Sequence, residues 1–302
     1  KEIIYSEDDL KEPILLDEFE RYYLAFCLEA KGEGELKIGA LHKRYSHGPF
    51  GEMTVGAQTL RDSKRQEIFA YFHPGDMKPP LNIYFSGYRP AEGFEGFVMM
   101  RRMGSPFILF SDPRLEGGSF YMGSQELEDQ IVAYIDQYLD WLGFGPKEMN
   151  FSGLSMGTFG ALYYGSSYSP HAILVGKPIV NLGDVAANLK FKRPDEFGTS
   201  LDMMQLLVGQ VSREGIDLLN QRFWDRFNQA DLKDTILAMA YMRDDDYDQL
   251  AYPKILEALY DHPVRIISSS RPGRHNDASA PIVEWFLTQY KEIMERDFGR
   301  IE

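Results

Sequence analysis

The stretch MNFSGLSMGTFGALYYG occupies residues 149–165 and contains the pattern G-x-S-x-G at residues 153–157. A short apolar segment ends at Ser152, just before the pattern, and a segment of helix-forming residues begins at Thr158. Two glycines permit a strained turn between a strand and a helix, and such a turn presents the central serine hydroxyl above a sheet. The pattern therefore predicts Ser155 as a nucleophile, with a purely structural glycine-rich turn as the alternative.

Outward from this stretch, apolar segments of strand length alternate with amphipathic segments of helix length. The clearest helix spans residues 126–142, where Ile131, Ile135 and Leu142 lie on one stripe. Such alternation is typical of a mostly parallel sheet covered by helices on both faces, and we predict an α/β-hydrolase-type fold. Strands are predicted at 81–85, 106–110, 149–152, 172–175, 235–242 and 264–268, and further helices at 158–165 and 281–294.

The first 76 residues follow a different pattern, in which short apolar or aromatic runs are separated by Gly, Pro and charged residues. This pattern predicts a small β-sandwich-like module, incomplete because the chain starts at Lys1 in mid-pattern and is expected to be a fragment. Prolines within 74–80 predict the boundary, so the catalytic domain is expected over 77–302 with a helical cap at about 188–231. The strands of the module are predicted at 22–28, 36–41, 53–57 and 68–72.

Aromatic residues are frequent in this predicted module and include Tyr22, Tyr23, Tyr45 and Phe50. These side chains would suit a carbohydrate-binding surface, while packing in a core is the competing interpretation. The single cysteine, Cys27, excludes a disulfide within the chain and a thiolate zinc site, and its apolar neighbours predict a buried structural thiol.

Composition excludes several classes of function. The 302 residues are 44% apolar and 26% charged, which is ordinary for a compact soluble protein. The formal net charge of -14 disfavours nucleic acid and anionic lipid as partners, because both require clustered Lys and Arg. The sequence has no window of roughly 18 apolar residues that would span a membrane, and its acidic beginning is unlike a signal peptide. We therefore expect a cytoplasmic protein.

A serine hydroxyl becomes an effective nucleophile only when a base removes its proton, and this fold places that histidine late in the chain. His275 lies in the sequence RPGRHND at residues 271–277, after the last predicted strand and before the final predicted helix. The other histidines lie in turns, at a strand start or in the first module. The sequence therefore predicts His275 as the base.

The third member of such a triad is a carboxylate that fixes the imidazole tautomer and stabilises its cation. The strand predicted at 235–242 is followed by the acidic sequence RDDDYD at residues 243–248. Asp245 is the predicted acid, and Asp244 and Asp246 remain open as alternatives. A calcium loop is disfavoured because Gly at the sixth position and Glu at the twelfth are missing, so no metal site is predicted.

Acyl transfer also needs two N–H donors for the oxyanion, one from the residue after the nucleophile and one from a loop after an early strand. These positions predict Met156 as one donor and Tyr88, in the sequence SGYR at residues 86–89, as the other. Arg89 is a candidate for holding a substrate group, with an ordinary surface arginine as the alternative. The chain has neither a P-loop nor a convincing dinucleotide motif, so no bound cofactor is predicted and the acetyl donor is unidentified.

Residues 150–165, followed by VGKP at 175–178, resemble the acetyltransferase-like accessory protein family of the accessory Sec system, which exports serine-rich repeat adhesins in Gram-positive bacteria. The acidic loop after Met242 and the loop at 271–275 are also similar, and the resemblance covers most of the chain from Leu81 onward. Family members are longer than this chain. Their catalytic acid is a glutamate, so the aspartates here leave the position of the acid open.

The resemblance implies an enzyme that O-acetylates N-acetylglucosamine on the glycosylated adhesin in the cytoplasm. It also implies a role in export. The partners would be the adhesin, other accessory Sec proteins and the accessory SecA-type motor, with at most a peripheral association with the membrane translocase. The triad of such an enzyme would be Ser155, His275 and an acid from the aspartate loop.

The residues themselves leave two other functions open. Water and a sugar hydroxyl attack the same acyl-enzyme, so a triad alone does not separate a transferase from a carbohydrate esterase or deacetylase. A fold of this type also persists in proteins that have lost catalysis, so a non-catalytic export adaptor is the second alternative. The predicted mechanism is a two-step acyl transfer through Ser155.

Overall fold

The computed structural model describes residues 56–89, 92–116, 118–188, 192–193, 196–198 and 200–300, together with residues 4–6, 8–9, 14, 27, 29 and 31–35. The chain forms two compact units, Lys1–Ile38 and Gly39–Glu302. In the first unit, the Ser6 backbone N–H and hydroxyl donate to Asp9 Oδ2 at 2.8 and 2.6 Å. All of the helices and strands given below belong to the second unit.

One eight-stranded sheet organises the second unit. Its strands in chain order are β1 Gln58–Arg61, β2 Glu67–His73, β3 Leu81–Phe85, β4 Phe107–Ser111, β5 Met149–Leu154, β6 Ala172–Gly176, β7 Ile236–Met242 and β8 Arg265–Arg271. They are arranged in the order β1-β2-β4-β3-β5-β6-β7-β8. Strand β2 is antiparallel to both of its neighbours, and every other pair is parallel. The predicted mostly parallel sheet is confirmed.

Eight α-helices are seen in the described residues of this unit: α1 Phe97–Arg102, α2 Gln125–Leu142, α3 Met156–Gly165, α4 Leu182–Ala187, α5 Ser200–Val208, α6 Arg213–Phe227, α7 Ala251–Ala258 and α8 Ser279–Phe298. Ile131 of α2 and Phe159 of α3 pack in one buried cluster with sheet residues such as Ile83. Phe286 and Tyr290 of α8 pack in a second cluster. Helices therefore cover both faces of the sheet, as predicted.

Helix α2 shows why the sequence pattern located these elements well. Ser124 caps its start by accepting a hydrogen bond from the Leu127 N–H at 3.2 Å, and Gly143 ends it in the left-handed conformation with φ of 70°. Ile131 and Ile135, on the predicted stripe, are fully buried. The predicted helix at 126–142 is confirmed to within one residue at its start.

The other predicted strands and helices of the α/β part are found with boundaries shifted by a few residues. Four short elements were not predicted, namely β1, α1, α4 and α7. Three of them are helices of eight residues or fewer, which leave little room for a recognisable periodicity. The helical patches predicted in the cap correspond to α5 and α6.

The strand predicted at 68–72 does not belong to a separate first module. It forms β2, which pairs with β4 from Phe69 opposite Ser111 to His73 opposite Phe107. Its side chains Ile68 and Ala70 are buried in the core of the α/β sheet, so pairing with β4 removes this strand from the predicted module. The prolines at 74–80 lie in the connection between β2 and β3 rather than between domains.

Most of the rest of the predicted module lies outside the described residues. This applies to residues 22–26, 28, 36–41 and 53–55 of its predicted strands and to the aromatic residues proposed for sugar binding, Tyr22, Tyr23, Tyr45 and Phe50. Cys27 is described and is exposed, so the prediction of a buried thiol is wrong. A short apolar run does not guarantee burial, because apolar atoms contribute more than half of a folded protein's surface.

A buried polar network ties the amino ends of the central strands to α8. Asn82 of β3 accepts hydrogen bonds at Oδ1 from Asn150 Nδ2 at 3.0 Å and from the Tyr290 hydroxyl at 2.9 Å. Its own amide donates to Ser105 Oγ at 2.7 Å. Both asparagines are fully buried, so these bonds replace part of the hydration that the amides lose on folding, while Asn150 Oδ1 has no hydrogen-bond partner among the described residues.

Replacing Asn82 by Ala should lower the free energy of unfolding by about 1–3 kcal/mol, because the Asn150 amide and the Tyr290 hydroxyl lose a buried acceptor. Urea unfolding followed by circular dichroism measures this change. The matched control is Gln221→Ala, an exposed change on α6 that should stay within about 0.5 kcal/mol of the unmodified protein. Equal effects of the two changes would contradict a stabilising network at Asn82.

Candidate active site

Ser155 lies in the tight turn between β5 and α3, with φ of 52° and ψ of -120°. This conformation is rarely adopted by residues with a side chain, and close packing around the turn maintains it. A Cβ atom on Gly153 would lie 2.3 Å from the Gly157 carbonyl oxygen, and one on Gly157 would lie 2.0 Å from the Phe85 carbonyl oxygen. The two glycines of the G-x-S-x-G pattern are therefore required by space, and the serine is held at the carboxyl edge of the sheet.

The His275 side chain lies beside this serine. Its Nε2 is 2.7 Å from Ser155 Oγ, and its Nδ1 is 2.8 Å from Asp245 Oδ2. The imidazole is 2% exposed and Asp245 is 4% exposed, so water does not compete strongly for these hydrogen bonds. The structure brings all three predicted triad residues together in the order serine, imidazole, carboxylate.

Among the three aspartates considered for the acid, Asp245 is the one whose carboxylate contacts the imidazole ring. Its second oxygen, Oδ1, accepts hydrogen bonds from the Tyr247 N–H at 2.9 Å and the Asp248 N–H at 3.1 Å. These backbone donors fix the carboxylate, which in turn holds the imidazole with Nδ1 facing the acid. Nε2 is thereby left to face the serine.

Asp246 also supports His275, but through the backbone. Its Oδ1 accepts a hydrogen bond from the His275 backbone N–H at 3.0 Å, and its Oδ2 accepts one from Arg274 Nε at 3.0 Å. Burial acts to raise the pKa of Asp246, but these hydrogen bonds outweigh it and the pKa lies below its ordinary value. Asp246 therefore anchors the loop that carries the histidine.

The remaining aspartates of this loop have separate partners. Asp244 is exposed, and its Oδ2 accepts a weak hydrogen bond from the Gly273 N–H at 3.3 Å. Asp248 is buried and accepts hydrogen bonds from the backbone N–H groups of Val180 and Asn181 at 2.8 and 2.7 Å. Burial raises the pKa of Asp248. Asp244, Asp246 and Asp248 thus each make different contacts within the protein.

The two predicted oxyanion donors belong to the residue after Ser155 and to the loop after β3. Met156 is the first residue of α3, where backbone N–H groups have no partner within the helix. In the loop after β3, the Gly87 N–H is already bound to Glu95 Oε2 at 2.7 Å, and the Glu95 N–H donates to Ser86 Oγ at 3.0 Å. Glu95 therefore fixes this loop, and the next N–H, that of Tyr88, has no acceptor among the residues that the structure describes.

Tyr88 and Arg89 differ in their surroundings. The Tyr88 side chain is 59% exposed. The half-buried Arg89 packs over Gly93, where an added Cβ would lie 3.1 Å from Nη2, so it is not an ordinary surface arginine.

Lys177 is a buried cation near the triad, and it was not predicted as a site residue from the sequence. It follows β6 with φ of 61°, and its Nζ donates to Ser279 Oγ at the start of α8 at 3.1 Å. Burial lowers the pKa of Lys177, and the nearby carboxylates of Asp245 and Glu95 oppose that shift. This lysine therefore places a positive charge close to the acid loop and to the loop after β3.

The described residues contain no group of three or more His, Cys, Asp or Glu side chains that could hold a metal ion. None of the helices in that part of the chain is both long and apolar enough to cross a membrane.

A nucleophile-type turn, a histidine after the last strand and an acid after the preceding strand together define the α/β-hydrolase class of proteins. Within that class, the chain belongs to the accessory Sec system GspB-transporter family, whose family model matches residues 1–300. The predicted family is confirmed.

Known proteins place this chain among longer relatives. An accessory Sec system protein of Staphylococcus aureus is 48% identical over 304 residues, which cover 100% of this chain and 58% of that protein. This chain therefore spans less than two thirds of that curated relative.

Solved structures agree with the fold. A chain of the Glycosylation Associate Protein (Gap123) complex from Streptococcus agalactiae matches with a TM-score of 0.79 and 45% identity, over 82% of this chain and 48% of that one. The capsule O-acetyltransferase of Neisseria meningitidis serogroup A matches with a TM-score of 0.60 and 17% identity, over 78% of this chain and 98% of that one. At that identity the second likeness concerns the fold alone.

Replacing Asp246 by Asn should destabilise the protein by about 1–3 kcal/mol at neutral pH, because charge-assisted hydrogen bonds are lost. The folded-state pKa of Asp246 is depressed, so its contribution is present above the unfolded-state pKa and is lost as pH falls through the folded-state pKa. The difference in free energy of unfolding between the variant and the unmodified protein should therefore become smaller below about pH 4. Urea unfolding across pH measures it, with Asp217→Asn on the exposed face of α6 as control. A difference that does not change with pH would contradict this role.

Proposed function

We propose that this chain carries the catalytic part of an O-acetyltransferase that modifies N-acetylglucosamine on glycosylated serine-rich repeat adhesins. The observation that carries the proposal is the line of contacts from Ser155 Oγ to His275 Nε2 at 2.7 Å and from His275 Nδ1 to Asp245 Oδ2 at 2.8 Å. Membership of the accessory Sec family supports the adhesin as substrate and a role in its export.

In the first step, His275 Nε2 takes the proton of Ser155 Oγ as the oxygen attacks the carbonyl carbon of the acetyl donor. The carbonyl oxygen becomes an oxyanion, which accepts hydrogen bonds from the Met156 and Tyr88 backbone N–H groups. The imidazolium is stabilised by Asp245. When the tetrahedral intermediate collapses, His275 returns the proton to the leaving group and Ser155 carries the acetyl ester.

In the second step, a sugar hydroxyl gives its proton to His275 and attacks the same acetyl carbon. A second tetrahedral intermediate forms in the same oxyanion site, and the serine oxygen leaves with the proton from the imidazolium. The acetyl group ends as an ester on the sugar, and the enzyme returns to its starting state. Water follows the same route, so the sugar must be bound in a position that excludes it.

Two features favour catalysis over a scaffold role. A strained serine conformation is costly and persists where function requires it. The imidazole is also oriented by a carboxylate that is itself held by two backbone N–H groups, which a scaffold does not need. The matching chain of the Gap123 complex supports other accessory Sec proteins as partners, and the family context supports the accessory SecA-type motor and a cytoplasmic site of action at the translocase.

The decisive experiment expresses the glycosylated adhesin together with the full-length protein, as unmodified form, as Ser155→Ala and as Ser167→Ala. Ser167 is exposed beyond the end of α3, so its change is a matched control. Mass spectrometry of the adhesin glycans should show acetyl groups with the control and only background with Ser155→Ala, because removal of a nucleophile costs about 10³-fold or more.

Unchanged acetylation and unchanged adhesin secretion with Ser155→Ala would overturn the enzymatic proposal and favour an export adaptor. An esterase gives a different result with purified protein. In that case acetate is released from an acetylated substrate in a Ser155-dependent manner, while a glycopeptide acceptor gains no acetyl mass.

A further inference from the structure

We propose that Arg193 and Glu196, in the predicted cap between α4 and α5, are positioning residues that hold His275 in its working orientation. They would act through Tyr247, which follows the acid, and Asn276, which follows the histidine. The inference rests on the proposed function, because it concerns how His275 is held in position relative to Ser155.

Glu196 joins the two loops that carry the acid and the base. Its Oε2 accepts a hydrogen bond from the Tyr247 hydroxyl at 3.1 Å and another from Asn276 Nδ2 at 2.8 Å. Tyr247 lies two residues after Asp245, and Asn276 directly follows His275. One carboxylate therefore fixes the spacing of both loops from outside the sheet.

Tyr247 transmits this contact to the imidazole. Its ring centroid lies 4.5 Å from that of His275, and the two planes are tilted by 40°. Burial raises the pKa of Tyr247, and the Glu196 charge raises it further, so the phenol remains a hydrogen-bond donor at neutral pH. The Tyr247 ring thus packs against the imidazole, and the hydrogen bond to Glu196 fixes the position of that ring.

Arg193 supports the same ring. Its guanidinium carbon lies 4.1 Å from the Tyr247 ring centroid, and its Nη2 donates to the Val185 carbonyl oxygen at 2.6 Å. The side chain is 3% exposed, and its Nε and Nη1 have no acceptor in the described part of the chain. Burying a cation with incomplete hydrogen bonding is unfavourable, and the contact with the Tyr247 ring offsets part of that cost.

The backbone of the same segment touches the histidine loop as well. Arg274 Nη2 donates to the Lys192 carbonyl oxygen at 3.3 Å, while Arg274 Nε donates to Asp246. Lys192 and Glu196 therefore contact the loop after β8, and Glu196 also contacts the loop after β7. Because misplacement of a catalytic group by about 1 Å can cost 10²-fold in rate, these contacts bear on the chemical step.

The test uses the full-length protein and p-nitrophenyl acetate, a small ester that does not reach a sugar-binding surface. Glu196→Ala should lower kcat by about tenfold or more with KM unchanged within about twofold, because the imidazole is no longer held in its position beside Ser155. Glu196→Gln should recover most of this loss, since the amide oxygen can accept both hydrogen bonds. Arg193→Met, which keeps length but not charge, should lower kcat in the same direction.

Tyr247→Phe keeps the ring and removes the hydroxyl, so it should reproduce part of the kcat loss of Glu196→Ala. The double variant should add little to Glu196→Ala, because that change already removes the hydrogen bond between Glu196 and the Tyr247 hydroxyl. Tyr252→Phe is the matched control, since that hydroxyl bonds to Ser268 Oγ at 2.8 Å and its ring stacks on Tyr241. The control should retain unmodified kcat.

Unmodified kcat in Tyr247→Phe, with a lowered melting temperature as the sole effect of Glu196→Ala, would overturn the positioning role. Full additivity of the double variant would also overturn it. Ser155→Ala, measured in parallel, separates the two proposals. If it retains activity, the proposed function fails; if it is inactive while the Glu196 and Tyr247 variants stay normal, only the positioning role fails.

Discussion

The hydrogen bond between Ser155 Oγ and His275 Nε2 joins two side chains that lie 120 positions apart in the chain. Ser155 follows β5 and His275 follows β8, and strands β6 and β7 separate them in the sheet. A parallel sheet brings the carboxyl ends of its strands to one edge, so loops that are distant in sequence meet there. The acid loop after β7 contacts Nδ1 of the imidazole, while Nε2 faces Ser155, and the sheet order is therefore a condition for the proposed chemistry.

A second constraint is the strained serine turn. Holding Ser155 at positive φ costs on the order of 1–3 kcal/mol, so the surroundings must fix it from several sides. The Ser155 N–H donates to the Gly176 carbonyl oxygen at 2.8 Å, and Thr158 Oγ1 donates to the Ser155 carbonyl oxygen at 2.6 Å. Strand β6 and the first turn of α3 thus hold the Ser155 backbone through hydrogen bonds, and its hydroxyl faces the histidine.

Much of the fold could be predicted from the sequence because the central strands are buried apolar runs and α2 has clear caps. Ser155 and His275, the proposed nucleophile and base, could be predicted from a local motif and from chain order. The acid could be assigned only to a loop, since Asp244, Asp245 and Asp246 differ in where their side chains point. Strand β2 was misplaced because its pattern suits any antiparallel neighbour, and only the pairing with β4 reveals its sheet.

The supporting residues had no sequence signature. Glu95, Tyr247 and Glu196 act through contacts between loops, and neither spacing nor composition marks them. This is expected for groups that orient a site without reacting, because many side chains can hold a loop and the choice depends on packing. Glu95, Tyr247 and Glu196 belong to the loop after β3, the acid loop and the predicted cap, and these three parts of the chain surround the site of Ser155.

The most direct measurement of the serine–histidine pair is covalent labelling by a fluorophosphonate, which reacts with an activated serine hydroxyl. Peptide mass spectrometry locates the label, and the labelling rate is compared between the unmodified protein and His275→Ala. We expect the label on Ser155 and a rate that falls by about 10³-fold or more without the imidazole. Labelling at an equal rate in both proteins, or at a different residue, would contradict activation of Ser155 by His275.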